Sequence, residues 1–148
     1  MAGTRTTRES RSVRDTERVA AELARTLRGG EVIALQGDLG AGKTQFTRGL
    51  VLGLGGDGRA VSSPTFVLLN VYDAPKLKIF HLDAYRVRGA EDFDGIGFGE
   101  LLEQPAGVVV VEWPERVEDL LPAARRIDVR ITTLSPRARR IEIARPAP

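Results

Sequence analysis

The stretch "VIALQGDLGAGKTQFTRGL", Val32–Leu50, decides the fold, because within it a glycine-rich loop joins an apolar segment to a helical one. The loop Gly37–Thr44 matches the pattern G-x-x-x-x-G-K-[ST]. Glycine permits backbone conformations that let main-chain N–H groups surround a phosphate. The helix that follows adds free N–H groups and the positive end of its dipole. The stretch therefore predicts a phosphate-binding loop, with a bare glycine-rich turn as the alternative.

Residues in and after the loop indicate whether bound phosphates could be hydrolysed or transferred. The ammonium of Lys43 is expected to reach the β and γ phosphates, and the hydroxyl of Thr44 to ligate Mg²⁺. A nucleotide hydrolase or transferase also holds the metal from a second side, usually through an acid at the end of another strand. Asp83 ends the segment "KIFHLD" and Glu112 ends the segment "VVVVE". An α/β sheet binds its ligands at the carboxyl ends of such strands. Either carboxylate could instead be an ordinary polar residue that closes a strand.

The whole pattern predicts a single-domain α/β fold, a P-loop NTPase-like sandwich in which helices flank a mixed parallel and antiparallel sheet. Residues 13–148 form this domain, and residues 1–12, which are polar and aperiodic, predict a flexible tail. The predicted elements are a helix that Asp15 or Thr16 caps and Gly29–Gly30 ends, a strand at 31–36, a helix at 43–54, antiparallel strands at 65–73 and 78–83, short helical pieces in 89–104, a buried strand at 107–113, a short helix at 114–121, and a C-terminal β-hairpin with strands around 127–131 and 141–143.

The composition excludes several kinds of site. The 148 residues include no cysteine and one histidine, which excludes disulfides, thiolate catalysis, cysteine-ligated zinc and multi-histidine metal sites. A hard cation held by oxygen atoms remains possible. No apolar run is long enough to span a membrane and no secretory signal is present, so we expect a cytoplasmic protein. The net charge of +2 is too small to indicate nucleic-acid binding, and the arginines near the C-terminus form either a solvated hairpin face or a docking surface for an acidic partner or RNA.

Four motifs in this order carry a resemblance to a known family. They are "GDLGAGKT" at 37–44, "SPTF" at 63–66, "HLDAYR" at 81–86 and "VEWPE" at 111–115. In this combination the chain resembles the TsaE family, the small P-loop ATPases of bacterial tRNA threonylcarbamoyladenosine synthesis, over residues 13–144. It departs from the family pattern at Gln45, where a second threonine is common, and at Ala84, where leucine is usual.

The resemblance implies a site for ATP and Mg²⁺. Lys43, Glu112 and Asp83 would be catalytic, and Thr44, Glu112 and Asp83 would hold the metal or its waters, with the direct ligand left open between the two acids. Thr65 would lie near the γ-phosphate, in a loop that responds to the nucleotide. The nucleotide-binding residues that the resemblance implies are Val13, Gly37, Asp38, Leu39, Gly40, Ala41, Gly42, Lys43, Thr44, Gln45, Thr65, Trp113 and Arg137.

Two of these roles have plainer alternatives, and His81 has a structural interpretation. Trp113 is expected beside the active site, but a core or surface indole is the alternative. Arg137 aligns with an arginine that contacts nucleotide, and it could equally be a charge on the hairpin turn. His81 is interpreted as a satisfied strand histidine in preference to a proton shuttle.

The function that the resemblance implies is a Mg-ATP hydrolase, weak when alone, within a tRNA-modifying assembly. Its partners would be a TsaD-like threonylcarbamoyltransferase and a TsaB-like companion subunit, with tRNA met only through that complex and no membrane involved. The chain would act on the transferase complex without forming the modified base. Two alternatives stay open, a small-molecule kinase and a nucleotide-sensing module without catalysis.

Overall fold

The computed structural model describes residues 3–64 and 68–147, which form a seven-stranded mixed sheet. Its middle consists of β2 (Val32–Gly37), β4 (Lys78–Asp83) and β5 (Gly107–Glu112). Here β5 lies between β2 and β4 and runs parallel to both. Helices or turns cover both faces, so these strands are almost continuously apolar in sequence. The carboxyl ends of the parallel strands therefore meet at one edge of the sheet.

Antiparallel strands extend the sheet on both sides, as predicted. At one end β3 (Leu69–Asp73) pairs with β4, and the first residues of the predicted strand, 65–67, lie outside the described part of the chain. At the other end the hairpin of β6 (Arg126–Thr133) and β7 (Arg139–Arg145) is confirmed, and β6 also pairs in parallel with β2. The predicted fold class, a mixed α/β sheet flanked by helices, is confirmed.

One face of the sheet is covered by α1 (Val13–Ala24) and α2 (Lys43–Gly53). The two helices approach closely because Gly49 of α2 faces α1. A Cβ atom at Gly49 would lie 2.3 Å from the main-chain oxygen of Glu17. This packing fixes the position of α2, and with it the glycine loop that leads into the helix.

Shorter elements cover the other face over β4 and β5. They are α3 (Ala90–Asp94), α4 (Phe98–Leu102) and 3-10 turns at Pro114–Arg116 and Glu118–Leu120. Phe93 and Phe98 anchor the two helices in an apolar cluster. The single helix predicted at 114–121 is wrong, because an extended φ of −133° at Val117 divides the segment into two turns.

The predicted flexible tail at 1–12 is also wrong over its described part. Thr4–Ser10 forms an edge strand, β1, that pairs antiparallel with β7. Hydrophobic periodicity could not reveal this strand because it contains no apolar residue, and backbone hydrogen bonds to β7 hold it in place. Ser12 caps α1 by accepting a hydrogen bond from the main-chain N–H of Asp15, so the predicted cap at Asp15 or Thr16 is wrong.

Within the described residues, no helix is both long enough and apolar enough to cross a lipid bilayer.

Candidate functional site

The glycine loop lies between the end of β2 and the start of α2. Gly40 and Gly42 have φ angles of 80° and 111°, a left-handed region that residues with a Cβ rarely adopt. Gly42 is also the N-cap residue of α2, so within the described chain no side chain caps the amide groups of the first turn. The loop therefore presents the beginning of an 11-residue helix, with its positive dipole end, to an incoming anion.

Lys43 is the first residue of α2, and its side chain is folded inward. The residue is 6% exposed, and its Nζ atom lies 3.8 Å from Oε1 of Glu112 and 4.1 Å from the centre of the Trp113 ring. Among the described residues, this Nζ atom has no hydrogen-bond partner. An ammonium group carries three donors, and leaving them unused in a buried place costs free energy. The site thus contains a cation prepared to receive an acceptor from outside the chain.

Burial lowers the pKa of Lys43 below its usual value of 10.5, because the charged form loses hydration. The carboxylates of Glu112, Asp83, Glu115 and Asp38 act in the opposite direction, in that order of importance. A bound phosphate would add negative charge beside the ammonium and favour its charged form.

Asp83 and Glu112 are register partners at the ends of the adjacent parallel strands β4 and β5. Their side chains therefore lie on the same face of the sheet, the one that α2 covers, and each residue is 3% exposed. Oδ1 of Asp83 accepts a hydrogen bond of 2.8 Å from the main-chain N–H of Tyr85. The two predicted acids and Lys43 are thus brought to one place.

The donor atoms at this place fit magnesium. The described residues contain no group of three or more histidine, cysteine, aspartate or glutamate side chains placed to hold a metal ion. Mg²⁺ does not need one, since it is usually bound through one or two carboxylates together with phosphate oxygens and water. Thr44 follows Lys43 at the start of α2, so its hydroxyl and the carboxylates of Asp83 and Glu112 are the oxygen atoms that would hold Mg²⁺ here.

Trp113 lies beside the site, as the sequence predicted. Its φ of 56° is left-handed, which is uncommon for a residue with a large side chain. The ring packs at 4.1 Å from Nζ of Lys43 and at 5.0 Å, between centroids, from the ring of Tyr85. The turn between Glu112 and Pro114 thus places an indole over the ammonium, where it limits the access of water.

A cavity of about 350 Å³ adjoins the glycine loop on the side of α1 and the β6–β7 turn. It brings together several residues that the sequence assigned to the nucleotide, namely Val13, Gly40, Ala41, Gly42, Gln45 and Arg137. Asp38 and Leu39 lie exposed at the tip of the loop, and Thr65 lies outside the described residues. The cavity is open to solvent and has both polar and apolar walls.

Arg139 of β7 also contacts the glycine loop, and the sequence does not predict this contact. Its Nε donates to the main-chain oxygen of Ala41 at 2.9 Å, and its Nη2 donates to that of Gly40 at 3.2 Å. Arg139 therefore braces the glycine loop from the opposite end of the chain. The alternation of arginines in the hairpin marks a polar face, but nothing in it indicates which arginine reaches the loop.

His81 is a buried strand histidine, as predicted, and it also contacts an acid of the site. The residue is fully buried, and its Nε2 lies 2.5 Å from Oε2 of Glu112. Tyr72 of β3 lies against the other side of the imidazole, with its hydroxyl 3.3 Å from Nδ1. The position of His81, two residues before Asp83 on the same strand, was the one available sign that its side chain shares the face of the two acids.

Comparison with known proteins gives a consistent result. The family model described as "Threonylcarbamoyl adenosine biosynthesis protein TsaE" matches residues 10–141. A Treponema pallidum protein named tRNA threonylcarbamoyladenosine biosynthesis protein TsaE is 48% identical over 113 residues, which are 76% of this chain and 82% of that protein. An Aquifex aeolicus protein of the same name is 45% identical over 106 residues, 71% of this chain and 74% of the relative.

The fold is also similar to a solved structure. The crystal structure of YdiB from Bacillus subtilis superposes with a TM-score of 0.76 at 28% sequence identity, over 99% of this chain and 89% of the YdiB chain. The edge strand β1 and the C-terminal hairpin thus fall within the part of this chain that the superposition covers.

Proposed function

Because this chain belongs to the TsaE family, we propose that it serves tRNA threonylcarbamoyladenosine biosynthesis as a magnesium-dependent ATPase that acts on the transferase complex. The family assignment supports the pathway, and the site described above supports the ATPase activity. In this proposal the chain does not form the modified base.

The observation that carries the ATPase activity is the state of Lys43. A buried ammonium that finds no hydrogen-bond acceptor among the described residues lies at the start of a helix whose first amides no side chain caps. Leaving a buried donor unpaired costs about 1–3 kcal/mol, and more when the donor is charged, as in the ammonium of Lys43. A triphosphate would accept hydrogen bonds from the ammonium and from the helix amides at once. A glycine-rich turn without a phosphate-binding role would have no need of a buried ammonium beside it.

Each residue of the site has a part in the proposed reaction. The amides of Gly37–Thr44 bind the phosphates, and Lys43 holds the β and γ phosphates in place for in-line attack. Thr44, Asp83 and Glu112 would hold Mg²⁺, which when bound neutralises charge on the phosphate oxygens. Glu112 orients the attacking water, and Trp113 excludes other water from the ammonium. Hydrolysis then rests on positioning and electrostatics, as is usual for phosphoryl transfer.

The action on partners follows from the way such loops change with the nucleotide. Contacts to the γ-phosphate hold neighbouring loops in one state, and hydrolysis releases them. The tip of the glycine loop carries Leu39, which is 76% exposed and thus accessible to another protein. We therefore propose a TsaD-like transferase and its TsaB-like companion as the partners, with tRNA met through them and turnover slow until they are present.

The proposal is tested by ATP turnover of the purified chain with and without the two partner proteins. Turnover that rises on adding them, and that Glu112→Ala abolishes while nucleotide binding persists, supports the proposal. If Glu112→Ala still supports the tRNA modification in cells, the chain senses nucleotide without catalysis. Transfer of the γ-phosphate to a small acceptor would instead identify a kinase.

A further inference from the structure

A buried chain of polar contacts runs from Glu112 through His81 and Tyr72 to Ser62. Nε2 of His81 lies 2.5 Å from Oε2 of Glu112, and the Tyr72 hydroxyl lies 3.3 Å from Nδ1. The same hydroxyl donates to the main-chain oxygen of Ser62 at 2.8 Å, and the N–H of Ser62 donates to the hydroxyl at 3.2 Å. Three strands and the segment before β3 are thus joined by a continuous series of polar contacts.

The contact between His81 and Glu112 determines how the carboxylate is presented. Because a carboxylate accepts hydrogen bonds, Nε2 of His81 carries the hydrogen and donates it to Oε2. The other oxygen, Oε1, is the one that lies 3.8 Å from Nζ of Lys43. His81 therefore fixes which oxygen of Glu112 faces the phosphate-binding loop. Donors that orient a functional carboxylate in this way commonly alter activity 10- to 100-fold when they are removed.

Tyr72 in turn fixes the imidazole of His81. It is 5% exposed, and the two rings pack with their centroids 5.8 Å apart. Its hydroxyl cannot turn freely because the main chain of Ser62 contacts it through both the N–H and the carbonyl oxygen. The ring of His81 is thereby held with Nε2 toward Glu112.

An apolar residue would suffice at position 81 if packing were its only purpose. On its own face of the sheet, His81 is flanked by Ile79 of β4 and by its register partner on β5, Val110, which both belong to the apolar core. Burying an imidazole among them costs free energy unless both ring nitrogens find partners. Nε2 donates to Glu112, an acid that the proposed reaction uses, and Nδ1 lies 3.3 Å from the Tyr72 hydroxyl.

We propose that His81 is a positioning residue for Glu112, with Tyr72 holding the imidazole and linking it to the main chain of Ser62. Ser62 opens the segment that ends at Pro64, whose carbonyl accepts a hydrogen bond from Leu68 at 2.9 Å. A movement of this segment would therefore be passed to the carboxylate of Glu112. The effect on turnover rests on the proposed ATPase function, whereas the hydrogen-bonded arrangement does not.

The arrangement is tested by long-range ¹H–¹⁵N spectra of the imidazole, since His81 is the only histidine in the chain. We expect a ring protonated at Nε2, with resonances that move in Glu112→Gln and in Tyr72→Phe. Tyr85→Phe, which changes the only other tyrosine, should leave them in place. A ring protonated at Nδ1 alone, or resonances indifferent to Glu112→Gln, would overturn the proposal whether or not the chain hydrolyses ATP.

The effect on catalysis is tested by ATP turnover of His81→Leu and His81→Gln with the partner proteins present. His81→Leu should lower kcat roughly 10- to 100-fold while the Kd for ATP changes less than about twofold. His81→Gln, whose amide can donate from a similar position, should restore most of the loss. In Glu112→Gln, adding His81→Leu should cause little further loss, because the group that His81 positions is already disabled.

Equal losses in the leucine and glutamine variants, or losses that multiply in the double variant, would show that His81 only supports the fold. If His81→Leu does not fold, Tyr72→Phe decides, with an expected severalfold fall in kcat at unchanged Kd. A wild-type chain without ATPase activity would refute the proposed function and leave the spectra to decide the arrangement.

Discussion

Nζ of Lys43 and Oε1 of Glu112 lie 3.8 Å apart, and each side chain is less than one-tenth exposed to solvent. The pair brings together the cation that would bind phosphate and the acid that would orient water. Glu112→Gln removes the charge and keeps the shape, so we expect kcat for ATP to fall by about 100-fold or more, as when other electrostatic groups are removed from active sites. Nucleotide binding should persist, because the ammonium of Lys43 remains and no longer has a carboxylate that competes with the phosphates for it.

Phosphate release and titration with a fluorescent ATP analogue measure the two quantities separately. Glu103→Gln, an exposed acid at the end of α4, is the matched control and should behave as the wild type. Turnover of Glu112→Gln within twofold of the wild type would contradict the assigned role.

The lowered pKa of Lys43 predicts how affinity depends on pH. In the free protein, burial disfavours the ammonium, whereas bound phosphates favour it, so the pKa rises on binding. Binding must therefore take up protons once free Lys43 begins to deprotonate. The affinity for ADP without magnesium should fall as pH rises through the lowered pKa, before a lysine with the usual pKa of 10.5 would respond.

Calorimetry in buffers with different ionisation enthalpies measures this proton uptake. Lys43→Arg is the control. Because a guanidinium stays protonated, the affinity of this variant for ADP should not fall as the pH rises. An affinity that stays level up to about pH 10 without proton uptake would show that Lys43 does not meet the phosphates.

Arg139 braces the glycine loop through the carbonyl groups of Gly40 and Ala41. Arg139→Ala removes the two hydrogen bonds that this charged side chain donates to the glycine loop and should weaken ATP binding by about 1.5–3 kcal/mol, roughly 10- to 150-fold. Arg140→Ala is the matched control, since Arg140 forms a surface ion pair with Glu142 at 3.4 Å. Equilibrium titration of both variants with ATP measures the effect. Equal ATP affinities in the two variants would show that Arg139 does not brace the loop.

Gly49 allows α1 and α2 to pack closely, so Gly49→Ala should destabilise the fold. The added Cβ would meet main-chain atoms of Glu17 and the Cβ of Ala20, which cannot rotate away. Overpacking of this kind costs about 1–3 kcal/mol or more of unfolding free energy. Gly99→Ala in α4 is the control, because a Cβ there meets nothing within 4 Å. Urea unfolding measures the unfolding free energy of both variants. Equal stabilities would contradict the close contact of α1 and α2 at Gly49.

The parts of the fold and site that could be predicted from the sequence are those in which local pattern determines structure. The apolar runs at β2 and β5 and the glycine loop between β2 and α2 fall where the pattern indicates, because burial on both faces requires continuous apolar residues. The acids Asp83 and Glu112 could be predicted for the same reason, since each ends such a run.

The remainder depends on contacts between distant residues. The strand β1 contains no apolar residue, and only the free edge of β7 makes it a strand. Arg139 reaches a loop 98 positions earlier, and His81 meets Glu112 across 31 positions. No spacing in the sequence encodes such contacts, because they follow from the order of strands in the sheet.

The central claim is that Gly37–Thr44 binds a nucleoside triphosphate with the help of Lys43. Isothermal titration calorimetry of the purified chain with ATP and ADP in excess magnesium tests this claim most directly. We predict one molecule of nucleotide bound per chain, and no binding by Lys43→Ala in a fold of unchanged secondary structure. Heats equal to dilution for the folded wild type, or equal affinity in the lysine variant, would contradict the account.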